Sequence, residues 1–190
     1  MKIILMGYGK MGKEIEAIAI ARQHEIVLKI DKDNAANINE EDLKKGDVVI
    51  EFSTPHTVLN NIRKCISARV PVVVGTTGWY DNFEEIAALC QSGKSALFHA
   101  TNFSLGVNLF FKLNKYLASL MDKYPAYDVS MEEIHHVHKL DKPSGTAITL
   151  AEQLIAGMER KNKWSISEKS KDTVFIEDRR EGEVPGTHII

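Results

Sequence analysis

Short apolar runs alternate with amphipathic stretches through the first hundred residues. Lys2 to Met6 is apolar throughout after its first residue and predicts a buried strand, with the glycine segment Gly7 to Gly12 directly behind it. Met11 to Arg22 sets Ile15, Ile18 and Ala19 at helical spacing. Ile26 to Ile30, Asp47 to Phe52, Val70 to Val74 and Ser95 to His99 each read as a strand. Thr57 to Ala68 reads as a helix, and another starts at a cap on Asp81 or Asn82 and runs to Cys90. Strands apolar on both faces, alternating with helices, predict βαβ units around a buried parallel sheet.

Past Phe103 the pattern changes. Ser104 to Met121 reads as one long helix, with Leu109, Leu113, Leu117 and Leu120 as a stripe expected in the core. Tyr127 to His136 reads as a strand with Met131 in the core. Ser144 to Met158 reads as a helix with Leu150, Leu154, Ile155 and Met158 on one face, and Thr173 to Ile176 as a further strand. No internal repeat interrupts the order. The expectation is an α/β chain in two domains, residues 1–103 built on a parallel sheet and residues 104–190 of mixed character.

Composition narrows this picture. A chain of 190 residues makes one domain or two small ones, and 44% hydrophobic with 26% charged residues excludes wholesale disorder. Lys and Arg total 24 against 26 Asp and Glu, so there is no electrostatic footprint for nucleic acid. The longest apolar runs, about six residues, fall far short of the roughly 20 that a membrane helix needs. Ile3 to Met6 is too short for a signal peptide's apolar region, so a cytoplasmic location is expected. Cys65 and Cys90 then read as reduced structural thiols.

The chemistry starts at Gly7-Tyr8-Gly9-Lys10-Met11-Gly12, a G-x-G-x-x-G loop between a strand and a helix. The first glycine permits the turn, the second lets backbone approach a pyrophosphate, and the third lets the helix pack on the strand. The helix N-terminus offers free N–H groups to the phosphates. Asp31 closes the second strand about 20 residues on, where an acid accepts the ribose hydroxyls and favours NADH. Lys32 reads either as a solvated surface lysine or as the partner of a 2′-phosphate, which favours NADPH. Phe52-Ser53-Thr54-Pro55 and Gly75-Thr76-Thr77-Gly78 follow the third and fourth strands, on the carboxyl edge where open parallel sheets bind ligands.

His135, His136 and His138 crowd into the run Glu133 to Ala147. A zinc site would want four well-separated ligands, whereas His135 and His136 point to opposite sides of an extended backbone, so no metal is expected. Histidines satisfied in a polar loop are the bland alternative. Acid–base chemistry fits better: an imidazole that exchanges protons near neutrality, the fixed cation of Lys139, and a helix N-terminus at Ser144-Gly145-Thr146 describe a pocket for a carboxylate substrate.

These residues resemble a known family. The glycine loop, Gly75-Thr76-Thr77-Gly78, Asn102-Phe103-Ser104 with Gly106-Val107-Asn108, and above all Glu-x-His-His-x-x-Lys-x-Asp-x-Pro-Ser-Gly-Thr-Ala over Glu133 to Ala147 look like the 4-hydroxy-tetrahydrodipicolinate reductases of the diaminopimelate route to lysine. The resemblance spans essentially the whole chain. It implies an N-terminal Rossmann domain and a second, mixed-sheet α+β domain for substrate binding and homotetramer formation. It also implies reduction of a small cyclic dicarboxylate with NADH or NADPH. His135 takes the proton-donor place, Lys139 that of the catalytic lysine, and His136 a substrate contact. Gly145 and Thr146 hold a substrate carboxylate. Gly75, Thr76 and Thr77, with Ala100, Thr101, Asn102 and Phe103, line the nicotinamide end, and Asp31 and Lys32 the adenosine ribose. A redox-sensing dinucleotide binder is the rival from another class, and it has no need of His135 or Lys139. An oxidoreductase on another substrate is the second rival.

The chain departs from the family in places. Many members carry one more residue in the glycine loop, Thr101 stands where alanine or proline is usual, and Lys142 where alanine is common. The linker from Asp31 to Asp47 is short. The chain stops at Gly186-Thr187-His188-Ile189-Ile190, which reads as the opening of a strand without its return partner, where the family continues with further strands, an arginine and a final helix. The expectation is an incomplete second domain with an unpaired edge.

Overall fold

A computed structural model describes residues 1–139 and 141–190 of the chain. It divides into two units, Met1–Thr101 and Asn102–Ile190.

The first unit runs β1 (Lys2–Met6), α1 (Lys10–Ala21), β2 (Glu25–Ile30), α2 (Glu40–Leu43), β3 (Val48–Glu51), α3 (Val58–Ser67), β4 (Val72–Val74), α4 (Phe83–Gly93) and β5 (Leu97–His99). The strands form one parallel sheet in the order β2-β1-β3-β4-β5. The chain reverses its winding direction between β1 and β3, the switch point at which such sheets bind ligands. Ile4, Val49, Val72 and Val74 pack with Ile62, Cys65 and Ile86 on one face, and Ile3 and Leu5 pack with Ala19 on the other. Two details differ from the sequence expectation. Ile18 of the first helix is exposed, because α1 rests on the sheet through Gly12 and Ala19 instead. The linker before β3 contains α2, closed by a capping box in which Asn39 accepts the Asp42 N–H and Asp42 accepts that of Asn39.

The second unit runs α5 (Leu105–Met121), β6 (Ser130–His135), α6 (Gly145–Gly157), β7 (Lys163–Ser165), β8 (Thr173–Arg180) and β9 (Thr187–Ile189). Its sheet has the order β7-β8-β6-β9, with β6 parallel to β8 and antiparallel to β9. The stripe of α6 is core: Leu150, Leu154 and Met158 pack with Met131, Val174 and Ile176.

Three expectations need correction here. Leu109, Leu113, Leu117 and Leu120 are 41–59% exposed, and the buried face of α5 is Phe111, Asn114 and Ala118. The cause is close packing on α6: Asn114 donates to the Leu150 carbonyl at 3.0 Å, and Gly157 lies so near Ala118 that an added Cβ would stand 2.8 Å from the Ala118 Cβ. Leucine is too bulky for that contact. The strand read from Tyr127 begins only at Ser130, after an exposed turn. The strand at Gly186 to Ile190 does have one partner, because β9 lies antiparallel to β6 with Thr187 opposite Ile134 and Ile189 opposite Glu132, while among the described residues its outer edge is unpaired as expected. The sheet also holds β7, which was not expected, and β8 runs to Arg180, four residues beyond Ile176.

Candidate active site

In the first unit the glycine loop follows β1 and opens α1. Gly7 adopts φ +98° and sits against the Phe52 carbonyl, where an added Cβ would approach to 2.1 Å. Gly12 faces the Gly7 carbonyl at 2.4 Å by the same measure, so neither position admits a side chain. Gly9 has open space around it and caps α1 with no side-chain hydrogen bond. An open backbone position before an uncapped helix N-terminus, with no acid in the first turn, is the cradle a pyrophosphate needs. Tyr8 is tied by its hydroxyl to Glu16, which pairs with Lys29 at 2.6 Å. Lys10 and Met11 are exposed in the first turn of α1.

At the end of β2, the Asp31 carboxylate accepts the Asp33 N–H at 2.9 Å and Lys32 is exposed. The Phe52 ring lies over Gly75, where a Cβ would come within 2.1 Å of it. Thr76 is buried and accepts the Ser53 N–H at 2.8 Å, and its carbonyl takes the Trp79 indole N–H at 3.0 Å. Thr77 is half-buried beside it, and Ala100 and Thr101 are half-buried after β5. The carboxyl ends of β1 to β5 thus bring the expected cofactor residues of this unit to one edge of the sheet, from Gly7 to Thr101.

In the second unit, β6 alternates so that Met131, Glu133 and His135 share its buried face. Behind it come His136, Lys139, which pairs with Asp141 at 2.8 Å, and the first turn of α6. Ser144 caps α6 by accepting the Ala147 N–H at 3.2 Å, leaving Gly145 and Thr146 in the opening turn. Asn102 and Phe103 fall in this unit, and Asn102 donates to the Thr146 hydroxyl at 3.2 Å. Among the described residues, His136 Nδ1 is buried with no hydrogen-bond partner.

Glu133 is fully buried. Its Oε1 accepts the Ser144 N–H at 2.9 Å and its Oε2 accepts the Ser144 hydroxyl at 2.5 Å. Burial pushes its pKa up, yet hydrogen bonds from His188 and Ser144 outweigh that and hold it at about 2. Burial pulls the His135 imidazole below its ordinary value, and the Glu133 charge opposes that pull. Ligand-type atoms of Glu133, His135 and His188 lie within 4.8 Å of one another, but the Ser144 hydroxyl occupies the shared oxygen and makes this a hydrogen-bonding hub.

Comparison with known proteins decides the family. A family model described as dihydrodipicolinate reductase, N-terminus, matches residues 1–103, and the corresponding C-terminus model matches residues 106–190. The chain belongs to the dihydrodipicolinate reductase family. It is 46% identical over 192 residues to a curated 4-hydroxy-tetrahydrodipicolinate reductase of Christiangramia forsetii, covering 100% of this chain and 79% of that one. A second, from Campylobacter jejuni, is 36% identical over 196 residues, covering 96% and 76%. The solved dipicolinate-bound dihydrodipicolinate reductase of Paenisporosarcina sp. TG-14 superposes with a TM-score of 0.69 at 26% identity, over 98% of this chain and 81% of that one.

For a chain of this family, sequence reading missed three groups. Glu133 had a signal, since it stands two residues before His135 on a strand and so shares its face. His188 and Arg180 had none, because only the sheet register sets them opposite Glu133 and His135. Both cysteines are free thiols, and burial pushes Cys65 up to about 12. Among the described residues no helix is long and apolar enough to cross a membrane.

Proposed function

We propose that the chain reduces (2S,4S)-4-hydroxy-2,3,4,5-tetrahydrodipicolinate to (S)-2,3,4,5-tetrahydrodipicolinate with NADH or NADPH, the family's step toward lysine through diaminopimelate. The observation that carries this is the loop from His135 to Thr146, which sets an imidazole, an ammonium and a helix N-terminus in succession. A dicarboxylate needs those groups, and the dipicolinate held by the Paenisporosarcina enzyme is one.

In this reading residues 1–103 are the dinucleotide domain. Gly7 to Gly12 take the pyrophosphate, and Asp31 and Lys32 the adenosine ribose. Phe52, Gly75, Thr76, Thr77, Ala100, Thr101, Asn102 and Phe103 border the nicotinamide. The bound nicotinamide supplies a hydride. Residues 104–190 bind substrate. Gly145 and Thr146 present the N-terminus of α6 to one carboxylate, Lys139 neutralises negative charge, His136 contacts the substrate, and His135 gives the proton. We place the enzyme in the cytoplasm as a homotetramer, and the exposed leucines of α5 supply apolar surface for association.

The test is NADH and NADPH oxidation with substrate made freshly by the preceding synthase, run on wild type, His135→Ala and Lys139→Ala. Turnover that drops about 10²-fold or more in either variant, with NADH affinity unchanged, supports these roles. A wild type that binds NADH and never oxidises it would point to a sensor.

A further inference from the structure

Glu133 and His188 have no part in the mechanism above, yet they meet at its proton donor. Glu133 and His135 are neighbours on the buried face of β6, and His188 of β9 is the cross-strand partner of Glu133. Glu133 Oε2 lies 3.5 Å from His135 Nδ1 and 3.4 Å from His188 Nε2. The two rings stand edge to face with centroids 5.2 Å apart. Among the described residues His135 Nδ1 is buried without a hydrogen-bond partner. His188 Nε2 also reaches the Ser144 hydroxyl at 3.1 Å. Two imidazoles therefore contend for one carboxylate oxygen.

We propose that Glu133 is a positioning residue of the reaction, shared between His135 and His188, so that His188 tunes the proton donor from the adjacent strand. This rests on His135 being that donor. An ionised carboxylate accepts only, so it favours the tautomer with hydrogen on Nδ1 and leaves Nε2 to exchange protons. Once His135 is an imidazolium, the same oxygen stabilises it. The other charged groups around the ring oppose that state: Lys139 on the following loop, Arg180 opposite it on β8, and His188 on β9. Glu133 is the one acid in this set. Whatever share of it His188 takes is withdrawn from His135.

The alkaline limb of the kcat–pH profile reads the proposal, because it marks loss of the donated proton. Glu133→Gln should move that limb to lower pH and cut kcat about 10-fold or more, and Glu133→Asp should restore part of both. His188→Gln should move the limb the other way, to higher pH. A structural role would lower activity without moving the limb. If Glu133→Gln gives a native near-ultraviolet spectrum and a wild-type limb, the proposal is wrong. If Glu133→Gln does not fold, His188→Gln decides, and a limb that stays or falls overturns the proposal. Full turnover by His135→Ala would remove the underlying assignment instead, a separate outcome.

Discussion

Arg180 donates to the carbonyl oxygen of Asp141 at 2.7 Å, from the strand next to the one that carries His135. The same guanidinium reaches the Lys139 carbonyl at 3.4 Å and is itself pinned by the almost wholly hidden carboxylate of Asp178. It therefore fixes the backbone carbonyls of Lys139 and Asp141. Arg180→Ala should raise the substrate KM about 10-fold and leave the NADH KM alone, because displacing a positioning group by about an ångström is costly while the cofactor residues lie elsewhere. Steady-state kinetics with each substrate varied in turn would check this, and a rise in the NADH KM alone would count against it.

The three loop glycines should behave differently. A methyl at Gly9 meets nothing within 4 Å, so Gly9→Ala should keep the wild-type Tm and lose NADH affinity about 10-fold or more. Gly7→Ala combines a 2.1 Å approach to the Phe52 carbonyl with φ +98°, and should lower the Tm itself. Thermal melts paired with calorimetric NADH binding separate the two. A Gly9→Ala protein with normal NADH affinity would mean that the pyrophosphate does not approach there.

At the other end of the cofactor, Lys32→Ala should raise the NADPH KM about fivefold to tenfold and spare NADH. Asp31→Ala should do the reverse. Equal effects on both cofactors would mean that this pair does not read the ribose.

Glu133 also makes stability depend on pH. Its carboxyl titrates at about 2 in the fold against 4.5 for the free side chain. A lowered folded-state pKa means that its contribution is complete above about 4.5 and disappears as the pH falls toward 2. Glu133→Gln should therefore be less stable than wild type at pH 6, with the gap closing by pH 2 to 3. Urea midpoints across that range would show it, and a gap that stays constant would disprove the linkage.

The order of elements in the first unit was legible because its signals are local, although α2 was missed and β4 and β5 start two residues later than their apolar runs suggest. Apolar runs mark buried strands, and the G-x-G-x-x-G loop with Asp31 carries its own register. The Glu133-to-Ala147 run was legible as a signature of the family for the same reason. What stayed hidden depends on which elements pack together. The leucines of α5 have a helical period as good as that of Phe111, Asn114 and Ala118, and only the narrow gap beside Gly157 selects the smaller face. An asparagine in the core is no apolar signal at all, and it is there because it reaches the Leu150 carbonyl. His188 and Ser144 are 44 residues apart, a distance over which sequence pattern has no grip.

That separation has a consequence for the order in which the protein becomes an enzyme. β9 is a three-residue edge strand, yet it brings in one of the groups that hold Glu133. Local helices and the parallel pairs of the interior do not depend on it, and with three residues and a single neighbouring strand it has little to hold it before β6 and β8 are in place, which makes its docking a late event. A refolding chain should thus pass through a stage that already has its helical signal and a working nucleotide cradle but an untuned His135. Turnover should return more slowly than circular dichroism, and a substitution that delays this small strand would look like a catalytic defect while being a kinetic one.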